Sequence, residues 1–261
     1  MNVQEHVPLA PFTTLNIGGS ARFFIEARTE EEIQEAFAYA RERNLPLFFL
    51  GAGSNLLVPD TSVEGVVLKI ALHSVAFENN GDETLLIAGA GTPWEEIVDA
   101  ASERELFGIE NLAGIPGTMG GAAVQNIGAY GAELADIFAY ADVIDTATGI
   151  HRRIEQAEAA FSYRTSFFKM HRELVVVRVA LHLSKRGTPN IAYPDLALAL
   201  RSLGEAGRAS KASLTPTEIV SAIRTIRAQK FPCASEGGTA GSFFKNPIVD
   251  EKTLTRLRTQ Y

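Results

Sequence analysis

Seven of the chain's 22 glycines (Gly108, Gly114, Gly117, Gly120, Gly121, Gly128 and Gly131) fall within the 24 residues from 108 to 131. A stretch so poor in large side chains forfeits core burial. What it gains is backbone that can approach another group closely or take positive φ. The run Gly114-Ile115-Pro116-Gly117-Thr118-Met119-Gly120-Gly121 lies at a predicted short helix start near Thr118, whose N–H groups favour an anion. A shorter loop, Gly51-Ala52-Gly53-Ser54-Asn55, directly follows the apolar run 45–50. It opens like the G-x-G of a dinucleotide-binding turn, but Pro59 stops any helix starting there, so a Rossmann unit is excluded. Two readings stay open for it. One is a tight turn; the other is a nest of N–H groups, with Ser54 and Asn55 adding hydrogen bonds to phosphate oxygens. Two phosphate-type loops in one chain point to a diphosphate cofactor.

The surrounding pattern is mixed α and β. Capping boxes predict helices at Thr29 with Glu32, at Thr92 with Pro93 and Glu95, and at Thr215 with Pro216 and Glu218. Strands are predicted over 21–27, 46–50, 65–70, 84–88, 141–146 and 174–183. The order is a βαβ unit in 21–50, then paired strands within 65–88, then a helix and further strands. That is not the regular alternation of a doubly wound sheet, so the expectation is an α+β fold with at least two subdomains.

Composition narrows the function. At 261 residues, 46% apolar and 21% charged, the chain has ordinary globular content. Its net charge of −7 carries no basic stripe, which argues against nucleic acid. The single cysteine, Cys233, cannot form an internal disulfide, and the five histidines show no zinc spacing, so no metal is expected. No apolar run approaches the roughly 20 residues of a membrane span. The first residues lack the regions of a signal peptide, and a cytoplasmic location is expected.

Five motifs carry a resemblance: Leu50-Gly-Ala-Gly-Ser-Asn-Leu-Leu57, Gly114 to Gly121, Asn126-Ile-Gly128-Ala129-Tyr130-Gly131, Tyr163-Arg164-Thr-Ser166 and Gly241-Ser242-Phe-Phe-Lys-Asn246-Pro247. In kind and order they are similar to those of the UDP-N-acetylenolpyruvoylglucosamine reductases. The resemblance implies an FAD-binding fold of the vanillyl-alcohol-oxidase type, with two α+β subdomains (1–70 and 71–231) and the start of a substrate-binding domain (232–261). It implies dissociable FAD, reduced by NADPH, and a UDP-sugar substrate whose enolpyruvyl methylene carbon takes a hydride. A monomer is expected.

The expected FAD contacts are Gly51, Ala52, Gly53, Ser54, Asn55, Gly114, Ile115, Pro116, Gly117, Thr118, Gly120, Gly121, Asn126, Gly128 and Ala129. On the substrate side are Tyr130, Tyr163, Tyr193, Arg227, Lys230 and Asn246, with Tyr193 marking the subgroup that closes a tyrosine loop. Enolate chemistry calls for a cation at the developing charge and a proton donor for the adjacent carbon. The resemblance gives these roles to Arg164 and Ser242. By themselves Arg164 reads as a loop arginine in a surface ion pair, Ser242 as an unactivated hydroxyl with no triad partner, and Arg227 and Lys230 as cations three apart at a helix end.

The sequence departs from the family in two places. Residues 235–240, Ser-Glu-Gly-Gly-Thr-Ala, replace an asparagine-containing run. The chain also stops at Tyr261 within a helix predicted from Asp250, without a C-cap. That leads to the expectation of a C-terminal truncation, with the glutamate that partners the family's arginine unassigned and turnover impaired. The competing readings are another flavoenzyme of the same fold and an FAD-holding fragment without turnover.

Overall fold

The computed structural model describes residues 1–204, 214–231 and 237–261. Cys233, the 235–236 end of the departing run and the expected boundary at residue 232 lie outside them.

The first sheet has the order β1-β2-β4-β3, formed by β1 (Val3–Pro8), β2 (Ser20–Ala27), β3 (Leu47–Leu50) and β4 (Val63–Ile70). β2 and β3 both run parallel to β4, and β1 closes the edge antiparallel to β2. Parallel strands joined by a helix bury both faces, and this sequence supplies both coverings. Helix α1 (Glu30–Glu42) places Ile33, Ala36, Phe37 and Ala40 at helical spacing on one face. Leu9, Ala21, Phe24, Leu50 and Val67 fill a smaller cluster on the other. α1 starts as predicted: Thr29 accepts from the Glu32 N–H, and three glutamates sit in the first turn, where the helix end is positive.

The second sheet is antiparallel, with the order β10-β9-β11-β6-β5. Its strands are β5 (Val75–Asn80), β6 (Glu83–Gly89), β9 (Phe138–Asp145), β10 (His151–Glu155) and the long β11 (Leu174–Ser184). A small hairpin, β7 (Gly128–Ala129) with β8 (Ala132–Glu133), stands apart from it. Helices α2 (Trp94–Ser102), α3 (Met119–Gln125) and α6 (Pro216–Lys230) bury Trp94, Ile97, Met119, Ile219 and Ile223 in the same apolar core. α6 carries the complete capping box of Thr215 and Glu218. Two short helices, α4 (Phe167–Met170) and α5 (Pro194–Gly204), flank β11, and α7 (Glu251–Gln260) is capped by Asp250 and buries no residue.

The architecture is the expected α+β, with two corrections. The runs 65–70 and 84–88 do not pair with each other. β4 is engaged by its parallel neighbours β2 and β3, while β6 pairs with β5 and β11 in the other sheet. Periodicity identifies strands but not partners. The box predicted at Thr92 also does not form. The helix is capped at Pro93, while Thr92 exchanges hydrogen bonds with the Ser74 backbone and Glu95 reaches Gly114 and Arg224 instead. Three edge strands, β1, β5 and β10, escape the pattern because their polar residues face solvent.

Trp94, 1% exposed, donates its indole N–H to the Leu112 carbonyl at 2.8 Å, tying α2 to the turn before the second glycine loop. Trp94→Ala should lower unfolding stability by about 3 to 5 kcal/mol. Leu198→Ala, at a position 70% exposed, should stay within about 0.5 kcal/mol. Denaturant melts compare the two directly.

Candidate functional site

β3 delivers its last residue, Leu50, straight into the loop Gly51 to Asn55 at the carboxyl end of the parallel strands, where open sheets leave a crevice. The second loop ends at α3, whose N-cap Thr118 accepts from the Gly121 N–H. The two loops meet. Ser54 Oγ donates to the Pro116 carbonyl at 3.2 Å, and an added Cβ at Gly51 would stand 2.8 Å from Thr118 Oγ1. Gly53, at φ +63°, would drive a Cβ into the Phe12 carbonyl. Glycine is required there for both conformation and space.

Carbonyl directions define what the cradle offers. Gly53 O accepts from Thr14, Pro116 O from Ser54, and Gly117 O from the Trp94 N–H at 3.1 Å. In a trans peptide the N–H points opposite to its carbonyl. The N–H groups of Ser54, Gly117 and Thr118 therefore turn away from these partners, a donor set suited to a diphosphate. The residues fit the dinucleotide cofactor that the loops imply. Gly114 is held separately: its N–H donates to Glu95, which Arg224 of α6 clamps. Arg227 packs over Gly114 where a Cβ would otherwise sit, its guanidinium 4.9 Å from the Phe231 ring.

Beyond α3 the chain makes two tight features. Tyr130, in the left-handed region at φ 48°, stacks edge-on against Tyr193 with ring centroids 5.2 Å apart. Asn111 donates to the carbonyls of Tyr130 and Asn190, at 2.8 and 2.7 Å, which fixes the segment leading to Tyr193. Lys230 pairs with Asp195 next to this stack, and that hydrogen bond pushes its pKa up.

The second feature is the turn at Tyr163 to Ser166. Arg164, also left-handed at φ 56°, donates to Asn126 O at 3.3 Å and to Gly128 O at 2.5 Å, with Glu133 3.9 Å away. Its guanidinium also lies 4.9 Å from the Tyr163 ring. Three non-glycine residues at positive φ so close together (Asn126, Tyr130, Arg164) are the kind of backbone strain that persists where surroundings over-determine it. Lys169 donates to the Arg164 carbonyl and to Gln125; burial, and then the nearby Lys245 charge, lowers its pKa.

The structure thus gathers the two glycine loops, and it gathers Tyr130 with Tyr193 and Lys230. Gly128, in the small hairpin with Ala129, offers its carbonyl to Arg164. Ser242 and Asn246 are exposed on a segment anchored beside the first loop, through the Thr239 N–H on Thr14 O at 2.8 Å. Among the described residues, the Ser242 hydroxyl contacts none of the other expected site residues. Asn126 has 0% exposure, and both ends of its side chain are engaged by protein partners. Glu95, Arg224, Asn111, Lys169 and Glu133 escaped the sequence reading, and only the early Glu95 of α2 left any trace, as a supposed cap.

Fold and cradle define a flavin-dinucleotide-binding protein of the vanillyl-alcohol-oxidase type. Residues 21–155 match the FAD binding domain family. A VAO-type flavoprotein from Myceliophthora thermophila superposes with a TM-score of 0.50 at 15% identity, over 72% of this chain and 38% of that one, which speaks to fold alone. The crystal structure of UDP-N-acetylenolpyruvylglucosamine reductase from Thermus caldophilus superposes with a TM-score of 0.68 at 29% identity, over 99% of this chain and 80% of that one. The UDP-N-acetylenolpyruvoylglucosamine reductase of Pseudomonas aeruginosa is 39% identical over 263 aligned residues, covering 100% of this chain and 76% of that protein. The chain belongs to the UDP-N-acetylenolpyruvoylglucosamine reductase family.

Two outcomes follow from this geometry. Gly53→Ala should weaken FAD binding about tenfold or more, as read by flavin fluorescence titration. Glu110, 5% exposed beneath the second loop, has its pKa raised above the ordinary 4.5 by burial, against hydrogen bonds such as that from the Gly108 N–H. Its stabilising contribution is complete below the unfolded-state pKa and is lost as pH rises through the raised folded value. Glu110→Gln, neutral throughout, should gain stability relative to the parent as pH rises above the ordinary carboxylate range. Denaturation midpoints across that rise measure it.

Proposed function

We propose that this chain is the NADPH-dependent, FAD-mediated reductase that converts the enolpyruvyl ether of UDP-N-acetylglucosamine to UDP-N-acetylmuramate for peptidoglycan precursors. The observation that carries the reading is the closure of two glycine loops into one donor-lined cradle, in a chain 39% identical along its whole length to a reductase of that name. Bound FAD supplies a hydride relay from NADPH to the substrate. The N–H groups of Ser54, Gly117 and Thr118 in the two glycine loops would hold the diphosphate, and neither loop contains His or Cys for a covalent link.

The remaining residues fall into roles by position. Arg164 presents a guanidinium to the substrate carboxylate, where charge accumulates as the enolate forms. Its left-handed backbone and two carbonyl partners preorganise it. Ser242 gives its hydroxyl proton to the adjacent carbon once the substrate bridges from the cradle, an enolate carbon being basic enough to take it. Tyr130 and Tyr193 provide an aromatic wall, and Tyr163 backs Arg164. Lys230 meets the nucleotide phosphates, with substrate displacing Asp195 from it, and Arg227 and Asn246 lie on the substrate side.

Subdomains at 1–70 and 71–231 accord with the break between the two sheets, and residues from 232 begin the substrate domain. A monomer in the cytoplasm suits a chain with one thiol, and sedimentation tests the first point. Among the described residues no helix is long and apolar enough to cross a membrane.

Stopped-flow absorbance separates the half-reactions. The flavin band should bleach with NADPH under anaerobic conditions and return on adding the enolpyruvyl sugar nucleotide. Ser242→Ala and Arg164→Ala should each slow the return by about 10²- to 10³-fold, the effect of removing one group that acts on transition-state charge, while leaving bleaching near the parent rate. Equal loss in both phases would overturn the two roles. Flavin that NADPH cannot bleach would overturn the reductase itself.

A further inference from the structure

We propose that Asn126 is a positioning residue that aims Arg164 at the substrate carboxylate. The inference rests on the role given to Arg164 above. Asn126 is the left-handed C-cap of α3, at φ 46° and ψ 66°, a conformation Asn tolerates better than most residues. Its side chain joins three separate pieces of chain. Nδ2 donates to Ser162 O at 3.0 Å, on the turn carrying Arg164, and to Glu133 Oε2 at 2.9 Å, while Oδ1 accepts from the Ala135 N–H at 3.0 Å. The backbone carbonyl of the same residue is one of the two acceptors that grip the Arg164 guanidinium.

Each bond constrains the arginine in a different way. The Ser162 contact fixes the start of a turn closed by the reciprocal Ser162 and Thr165 hydrogen bonds at 3.0 and 2.9 Å, with Arg164 inside it. The Ala135 and Glu133 contacts fix the 128–133 hairpin, and so the Gly128 carbonyl that takes the other guanidinium nitrogen. Glu133, shared between Asn126 and Arg164, lies near the guanidinium without gripping it, since its oxygen is 3.9 Å away. The guanidinium is thus held by two backbone carbonyls, with Glu133 too far away to occupy its remaining donors. A buried amide with every end satisfied gives a single geometry, because an alternative rotamer would strand donors and an acceptor on a residue with no solvent exposure.

The test uses the FAD-reconstituted chain and two ligands that differ in one carboxylate, UDP-N-acetylmuramate and UDP-N-acetylglucosamine, titrated by calorimetry. Asn126→Gly keeps the left-handed backbone and deletes the linker. The parent should prefer the carboxylate ligand, and the variant should lose about tenfold to a hundredfold of that preference, with affinity for UDP-N-acetylglucosamine falling much less. Arg164→Ala should lose the same preference, and adding Asn126→Gly to it should remove nothing more. Glu133→Gln, at a partly exposed position, gives a milder loss and covers the case where Asn126→Gly does not fold. A merely structural role would weaken both ligands alike, or add to the effect of Arg164→Ala; either result overturns the inference. A parent with no preference for the carboxylate would instead overturn the role of Arg164 and the inference with it, whereas a parent preference unchanged in Asn126→Gly and Glu133→Gln overturns the inference alone.

Discussion

Everything in this molecule that bears on chemistry is hung from one contact, the meeting of two glycine loops. Ser54 reaches across to the Pro116 carbonyl, and Gly51 leaves no room for a side chain beneath Thr118. The contact joins the end of a parallel sheet to the start of α3 on an antiparallel one. It adds to the contacts that Arg41 makes with the Ala147 carbonyl and Arg178 with Glu30 between the same two halves. A hydrogen bond of this kind contributes about 1 kcal/mol. Its importance lies in direction: three loop carbonyls engaged by protein partners leave the N–H groups of the same peptides turned away from those partners.

Around that cradle the protein relies on buried polar groups rather than on long charged side chains. Asn111 holds the backbone on either side of the Tyr130 and Tyr193 stack, and Asn126 holds the backbone on either side of Arg164. Both asparagines are almost wholly enclosed. A carboxamide can donate twice and accept through one oxygen without charge, so it can tie several loops together with no ion to desolvate. The charged groups, Arg164 and Lys230, are left partly open with weak or displaceable partners. That division suits a site that must receive an anionic substrate.

Strain is concentrated in the same place. Left-handed Asn126, Tyr130 and Arg164 fall within the hairpin and turn around the proposed substrate, and each such residue costs roughly 1 to 3 kcal/mol. The rigid sheet behind them, with β11 paired along both edges, supplies the support.

The glycine spacing, the Thr215 capping box, the Thr29 cap and six strand runs were legible in the sequence because they depend on neighbours a few residues away. The family's motifs likewise located the cradle and the Arg164 turn. Edge strands β1, β5 and β10, the separation of β4 from β6, and the transfer of Glu95 from a cap to Gly114 and Arg224 were not legible. Each depends on a partner far along the chain, and local periodicity carries no information about which distant backbone will compete for a donor. Asn126 shows the boundary most clearly. The sequence marked it as a residue of the site, from its place in a glycine-rich motif. Only the folded chain, by closing Ser162, Glu133 and Ala135 around its amide, decided which partners that amide takes.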